Sequence, residues 1–280
     1  MNLVQSIESA EEKYMQILEE FFKEKWGETH LFSHDIDHHR RVWQYAKELL
    51  EEISSEGENI IPKLPLELMI ACYLHDVGMS IDPEVRHGIH SRDLCKCFLF
   101  RNNLSESDFS DVLDAVEHHD DKDYQTQGFN NNEILKILAV ADDLDAFGYI
   151  GIYRYLEIYI ARGIRPEVIG PEIRKNALKR FQNFELNFGD FQELIERQRK
   201  RFLILDDFFA GFNRLVENYH SNPEISRDRK KTIDVILDLI RNKIAPDKMK
   251  TTYRETSDDH AVIEFIDELT SELDGFNIKF

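Results

Sequence analysis

Apolar residues recur at helical spacing along almost the whole chain. Residues 5–26 set Ile7, Ala10, Tyr14, Ile17, Phe21 and Phe22 on one face, and residues 37–54 do the same with Val42, Tyr45, Leu49 and Ile53. The stretch from Gly57 to Pro65 reads as a loop, and Pro65 then opens a third helix through Leu68, Met69, Cys72 and Tyr73. That helix is expected to end at His75-Asp76-Val77-Gly78, with Gly78 as a left-handed cap. Further helices are expected over 89–101, 107–119 and 131–146, with a polar loop over Asp121–Asn132. Only 12 Gly and 7 Pro interrupt 280 residues, and no run alternates apolar and polar long enough to argue for a sheet. The pattern therefore predicts an all-α fold.

Gly and Pro cluster over Gly163–Pro171 and mark a boundary. Residues 1–163 are expected to form one helical domain. Residues 164–280 form a further helical region, which packs on the first or on a partner. Its helices are expected over 172–186, 189–220, 227–244 and 258–273. Phe191, Leu194, Ile195, Phe202, Leu205, Phe209, Phe212, Leu215 and Val216 give the second of these an apolar stripe. The basic clusters Arg197–Arg201 and Arg227–Lys231 lie beside acidic residues and read as solvated faces.

Composition narrows the class. With 42% hydrophobic and 32% charged residues, the chain is globular rather than disordered. No apolar run approaches the roughly 20 residues of a membrane helix, and the N-terminus lacks the pattern of a secretory signal. The net charge of −19 repels duplex nucleic acid. A phosphorylated substrate would therefore need a local reversal of sign, which a bound metal supplies. Cys72, Cys95 and Cys97 form no CxxC pair and read as buried, reduced thiols, which suits the cytoplasm.

The chemistry is concentrated in the first half. Nine of the eleven histidines fall between His30 and His119, several beside carboxylates. In order come His34-Asp35-x-x-His38-His39, His75-Asp76, His87 and His90, His118-His119-Asp120-Asp121, and Asp142-Asp143-Leu144-Asp145. Imidazole and carboxylate are the ligand set for zinc, iron, manganese and similar ions. His38 lies one turn from Val42 on the inward stripe of its helix, where an unbonded imidazole is expensive. His75 and Asp76 close an apolar helix, and Asp142 follows the almost wholly apolar run Ile134–Ala141. A carboxylate buried there needs a cation or several hydrogen bonds. Together these residues offer four ligands from three helices.

The text His38-x-x-Arg41-Val42, Leu74-His75-Asp76-Val77-Gly78 and Ala141-Asp142-Asp143-Leu144-Asp145-Ala146-Phe147-Gly148 resembles the HD-domain metal-dependent phosphohydrolases over about residues 30–155. The resemblance implies an all-α HD core in which His38, His75, Asp76 and Asp142 bind a metal, with His75 and Asp76 central to catalysis. Some HD proteins hold a second ion through histidines lying between the His-Asp pair and the last Asp. By that resemblance His90 and His118 are expected to bind it, with His87 the competitor for His90 and His119 a further ligand or phosphate contact. His119 lies three residues beyond the inward Val116, while His118 is rotated away from that face. His34 and His39 are expected beside the site or at the surface, and His30 at the surface.

The implied cofactor is one or two divalent transition-metal ions: Mn, Fe, Zn, Ni or Co, with Mg also admissible. The implied substrate is a small phosphoester such as a nucleotide, with Arg41, Lys122 and Arg154 as its phosphate contacts. No Gly-Tyr-Pro triplet follows His118-His119, and no Glu-Asp extension follows Val77. Cyclic-di-GMP and ppGpp thereby lose support as substrates. Two other readings stay open: a di-iron oxygenase built on the same fold, and a nucleotide-sensing regulatory module. A homo-oligomer or a protein partner engaged through the C-terminal helices also stays open.

Overall fold

A computed structural model describes residues 2–55, 60–84, 86–121, 124, 131–221, 227–254 and 260–276, without the side chains of 215–221, 227–233 and 254. Among these residues every regular element is helical and there is no strand, so the fold is all-α as the spacing predicts. The chain divides into two compact units. One comprises Met1–Thr29 and His34–Asp145, the other His30–Ser33 and Ala146–Phe280.

The first unit is built from α1 (Leu3–Trp26), α2 (Ile36–Ser55), α3 (Leu64–Leu74), α4 (His87–Arg101), α5 (Ser110–His118) and α6 (Glu133–Asp145). Asn2 caps α1 by accepting from the Gln5 amide while the Gln5 side chain accepts from the Asn2 amide, which satisfies two otherwise orphaned donors. The buried stripe of α1 runs Ile7, Ala10, Tyr14, Leu18, Phe21, Phe22 and Trp26. Ile17 is 40% exposed, so the stripe turns through Leu18 instead.

α3 is apolar all round, and such a helix must be surrounded. It is buried from Leu68 to Leu74 without a break and packs against α1, α2, α4, α5 and α6. α6 is likewise buried at every position from Ile137 to Asp145. These two central helices end in polar residues, so their sequences deliver His75, Asp76, Asp142 and Asp145 into the interior.

Gly78 is not a left-handed cap. It sits in a 3-10 turn, Val77–Ser80, and among the described residues the glycines with positive φ are Gly27, Gly148 and Gly163. Its role is close approach. A Cβ there would lie 2.2 Å from the His87 carbonyl oxygen and 2.5 Å from the Ser91 nitrogen. The Gly78 amide also donates to Ser91 Oγ at 2.8 Å. Gly78→Ala should push α4 off the turn and lower stability by about 1–3 kcal/mol, the usual cost of overpacking, read by thermal denaturation.

In the second unit, α7 (Gly148–Ala161) packs on α8 (Pro166–Phe188), α9 (Gln192–Ser221), α10 (Arg227–Arg241) and α12 (His260–Gly275), while α11 (Pro246–Arg254) packs on α12. α8 and α9 run antiparallel, tied by Arg174–Asp206 and Arg199–Glu185. The break between units therefore lies at Asp145/Ala146 and not after residue 163, because α7 buries its apolar face among the later helices. Residues 30–33 join them because the Phe32 and Ser33 amides donate to the Glu157 carboxylate.

On α9, Leu194, Ile195, Leu205, Phe209 and Phe212 are buried and Phe191 and Phe202 half-buried; the side chains of Leu215 and Val216 lie outside the described residues. Arg199 pairs with Glu185, and Arg201 is tied to Glu272 and the Phe147 carbonyl. The side chains of Arg227–Lys231 are not described, and most of Asp121–Asn132 lies outside the described residues. Cys72 and Cys95 are buried, but Cys97 is exposed, which corrects the expectation of three buried thiols. No described helix is long and apolar enough to cross a membrane.

Candidate metal centre

Among the described residues, His and Asp side chains gather in three groupings whose ligand atoms all lie within 4.8 Å of one another. These are His38–His75–Asp76–Asp142, Asp76–His87–His119 and His38–His39–His75. All belong to the first unit. α2 supplies His38, the end of α3 supplies His75 and Asp76, the start of α4 supplies His87, α5 ends into His119, and α6 supplies Asp142.

The outer ring nitrogens fix the tautomers. His75 Nδ1 donates to the Cys72 carbonyl at 2.9 Å, His87 Nδ1 to that of Glu84 at 2.7 Å, and His119 Nδ1 to that of Val116 at 2.8 Å. A carbonyl only accepts, so a proton sits on each Nδ1, and Nε2 faces inward: it offers a lone pair when the ring is neutral and donates toward Asp76 when the ring is protonated. His38 Nδ1 lies 2.8 Å from Asp145 Oδ2 and is held in the same sense.

The inward atoms meet around Asp76. His38 Nε2 and His75 Nε2 are 3.2 Å apart, and His87 Nε2 and His119 Nε2 are 3.3 Å apart. Lone pairs facing each other repel unless a cation or a proton stands between them. The spacing suits an ion: ligands at zinc–nitrogen distance in a tetrahedron are separated by about 3.3 Å. Asp76 serves both pairs. Its Oδ2 lies 3.3 Å from His75 Nε2 and 3.6 Å from His38 Nε2, while its Oδ1 lies 2.9 Å from His119 Nε2 and 3.3 Å from His87 Nε2. Asp142 Oδ1 closes the first group at 3.7 Å from His38 Nε2. The donor set fits two ions sharing one carboxylate.

Electrostatics follow the same layout. Burial alone would raise the Asp76 carboxyl, but the charges of His75 and His119 and the hydrogen bond from His119 hold it well below the usual range. Burial alone would lower His87, but its hydrogen bond to Asp76 and that group's charge lift it to about 9. For His119 burial prevails and its pKa falls, despite Asp76.

The structure corrects the expected second ligand pair. His90 is half-buried and stands outside the cluster, because the inward face of α4 is set by His87, Gly88, Ser91, Cys95 and Phe98. His118 is 49% exposed and turns to Asp114. His87 and His119 take those places. The helix begins at His87 rather than residue 89, and Gly78 and Gly88 allow the backbone approaches that carry His87 inward.

Arg41 is not placed as a phosphate contact. Its Nε and Nη2 donate to Asp145 at 2.7 and 3.1 Å. Arg154 is buried within the second unit, and Lys122 lies outside the described residues. His30 is exposed as expected. His34 is buried with Nε2 3.7 Å from Asp76 Oδ2. His39 is also fully buried, bonded through Nδ1 to the Cys72 carbonyl and packed on Phe22. Tyr124 donates to the buried Asp143 at 2.7 Å. The residue that sequence reasoning passed over is Asp145. It stands in the quoted run, and its signal was its place one turn beyond Asp142 on a wholly buried helix.

Comparison with curated proteins and with solved structures finds no match. The family model described as HD domain matches residues 35–147, the segment from α2 through the end of α6 that carries every ligand named above. The order His38, His75-Asp76, Asp142 and the helical frame around it agree with that match: residues 35–147 of this chain are an HD domain.

Proposed function

We propose that the chain is a metal-dependent phosphohydrolase that cleaves a small phosphoester, of which a nucleotide is the best candidate. HD domains belong to a superfamily of metal-dependent hydrolases. The observation that carries the reading is the single carboxylate, Asp76, whose two oxygens face two separate pairs of imidazole lone pairs. His38, His75, Asp76 and Asp142 would hold one divalent ion, and His87, His119 and Asp76 a second. Such ions supply hydroxide at neutral pH and positive charge for phosphoryl oxygens. That positive charge also answers how a chain of net charge −19 would accept a phosphate.

The protein's own groups do the positioning. Backbone carbonyls of Cys72, Glu84 and Val116 fix three imidazoles, and Asp145 fixes the fourth. The buried walls of α3 and α6 exclude water around them, which strengthens every charge interaction at the centre. His34, with Nε2 3.7 Å from Asp76 Oδ2 and outside the ligand groups, would be the imidazole to meet a bound phosphoester.

The test is a metal analysis of protein purified without added metal, followed by turnover of a phosphodiester dye and a nucleotide panel in Mn2+. Bound divalent metal and phosphate-ester cleavage are expected. Product that appears only with iron and oxygen, or nucleotide binding without turnover, would contradict the reading.

A further inference from the structure

We propose that the two clusters are unequal. Asp145, clamped by Arg41, makes the His38 cluster the tight site for a divalent transition-metal ion and leaves the His87–His119 cluster a weaker, exchangeable one. The inference rests on the two-ion reading above and adds an order of filling to it.

Four imidazoles point Nε2 at the centre, and their backing differs. His75, His87 and His119 each donate Nδ1–H to a neutral backbone carbonyl. Behind His38, by contrast, Nδ1 faces a carboxylate, Asp145 Oδ2 at 2.8 Å. A carboxylate behind a histidine makes it a stronger ligand and fixes its ring. Asp145 is fully buried, so its charge is little screened.

Arg41 sets the geometry. Its Nε meets Oδ1 at 2.7 Å and its Nη2 meets Oδ2 at 3.1 Å, a two-point grip that stops the carboxylate from rotating away from His38. The guanidinium offsets part of the Asp145 charge, but it leaves the hydrogen bond and the ring orientation intact.

The direct ligands are unequal in the same sense. Among the described residues, the first cluster holds Asp76 Oδ2 and Asp142 Oδ1, and the second holds Asp76 Oδ1. Affinity for a divalent ion rises with the number of anionic ligands and with rigidity. Asp120 adds negative charge near His87, but it is exposed and screened by solvent. Occupancy of the second cluster would then follow the free metal concentration, and activity that needs both ions would follow it too.

The experiment is a calorimetric titration of the metal-free, full-length chain with Mn2+. Two binding steps separated by at least about tenfold are expected. His119→Ala should remove the weak step alone. Asp145→Asn should weaken the tight step by about 10–100-fold and leave the weak step in place. A general loss of structure would not select one step in this way. Because Asp145→Asn strands the Arg41 charge in the interior, the double variant Arg41→Met/Asp145→Asn removes both charges and is titrated beside it, with folding checked by circular dichroism. Two equal steps, or a tight step unchanged in the folded double variant, would overturn the inequality while leaving the two-ion reading standing. A wild-type chain that binds no Mn2+ would overturn both.

Discussion

Asp76→Ala is expected to empty both clusters at once and to reduce phosphoester hydrolysis by about 10³-fold or more. Of the two groupings that contain Asp76, each other residue belongs to one, whereas Asp76 offers one oxygen to His38 and His75 and the other to His87 and His119. Losing it leaves the His38–His75 pair with Asp142 alone and, among the described residues, takes the carboxylate away from the His87–His119 grouping. Metal ions contribute several kcal/mol to a phosphoryl-transfer barrier, and each 1.4 kcal/mol is about tenfold in rate. Metal content by mass spectrometry and steady-state turnover check the two halves of the expectation. A variant that retains two ions, or turns over at near wild-type rate, would contradict the bridging role.

The second large effect separates neighbours in sequence. His119→Ala should lower bound metal by one ion per chain and turnover by more than about 100-fold, since a direct ligand should matter more than the 10–100-fold typical of its supporting groups. His118→Ala should leave both unchanged, because that ring lies 49% exposed beside Asp114. The same contrast is expected between His87→Ala and His90→Ala. Ion counting on the four purified variants reads it directly. Loss of metal in His118→Ala with retention in His119→Ala would reverse the assignment.

Much of this arrangement was legible in the sequence. The unbroken apolar runs before His75 and Asp142 could only be central helices, and a polar group at the end of such a helix has nowhere to go but the interior. Hence, for the first cluster, the spacing already directs His75, Asp76 and Asp142 inward, while their joint role as ligands with His38 came from the resemblance to HD domains. The second was harder, because it depends on where helices begin and how their ends turn, which spacing reports poorly. Helix α4 starts two residues earlier than its apolar pattern, so His87 and not His90 faces inward. At His118-His119 the register from Val116 favoured His119, and the helix keeps that register to its end. Gly78 looked like a cap because it follows a helix, but the close approach of another backbone is a tertiary fact. The domain break was misplaced for a similar reason. Gly163 and Pro166 mark a real turn, yet α7 before it buries its apolar face among later helices.

Asp145 shows a limit of a different kind. A buried acidic residue next to ligands reads as one more ligand or as a helix end. Only the structure shows it paired behind His38 with Arg41.

The most direct measurement is a crystal grown in Mn2+ with diffraction recorded at the manganese edge. Two anomalous peaks are expected flanking the Asp76 carboxylate, one among His38, His75 and Asp142 and the other between His87 and His119. An absence of peaks at Asp76, or peaks centred on His90 and His118, would contradict the bridging role of Asp76.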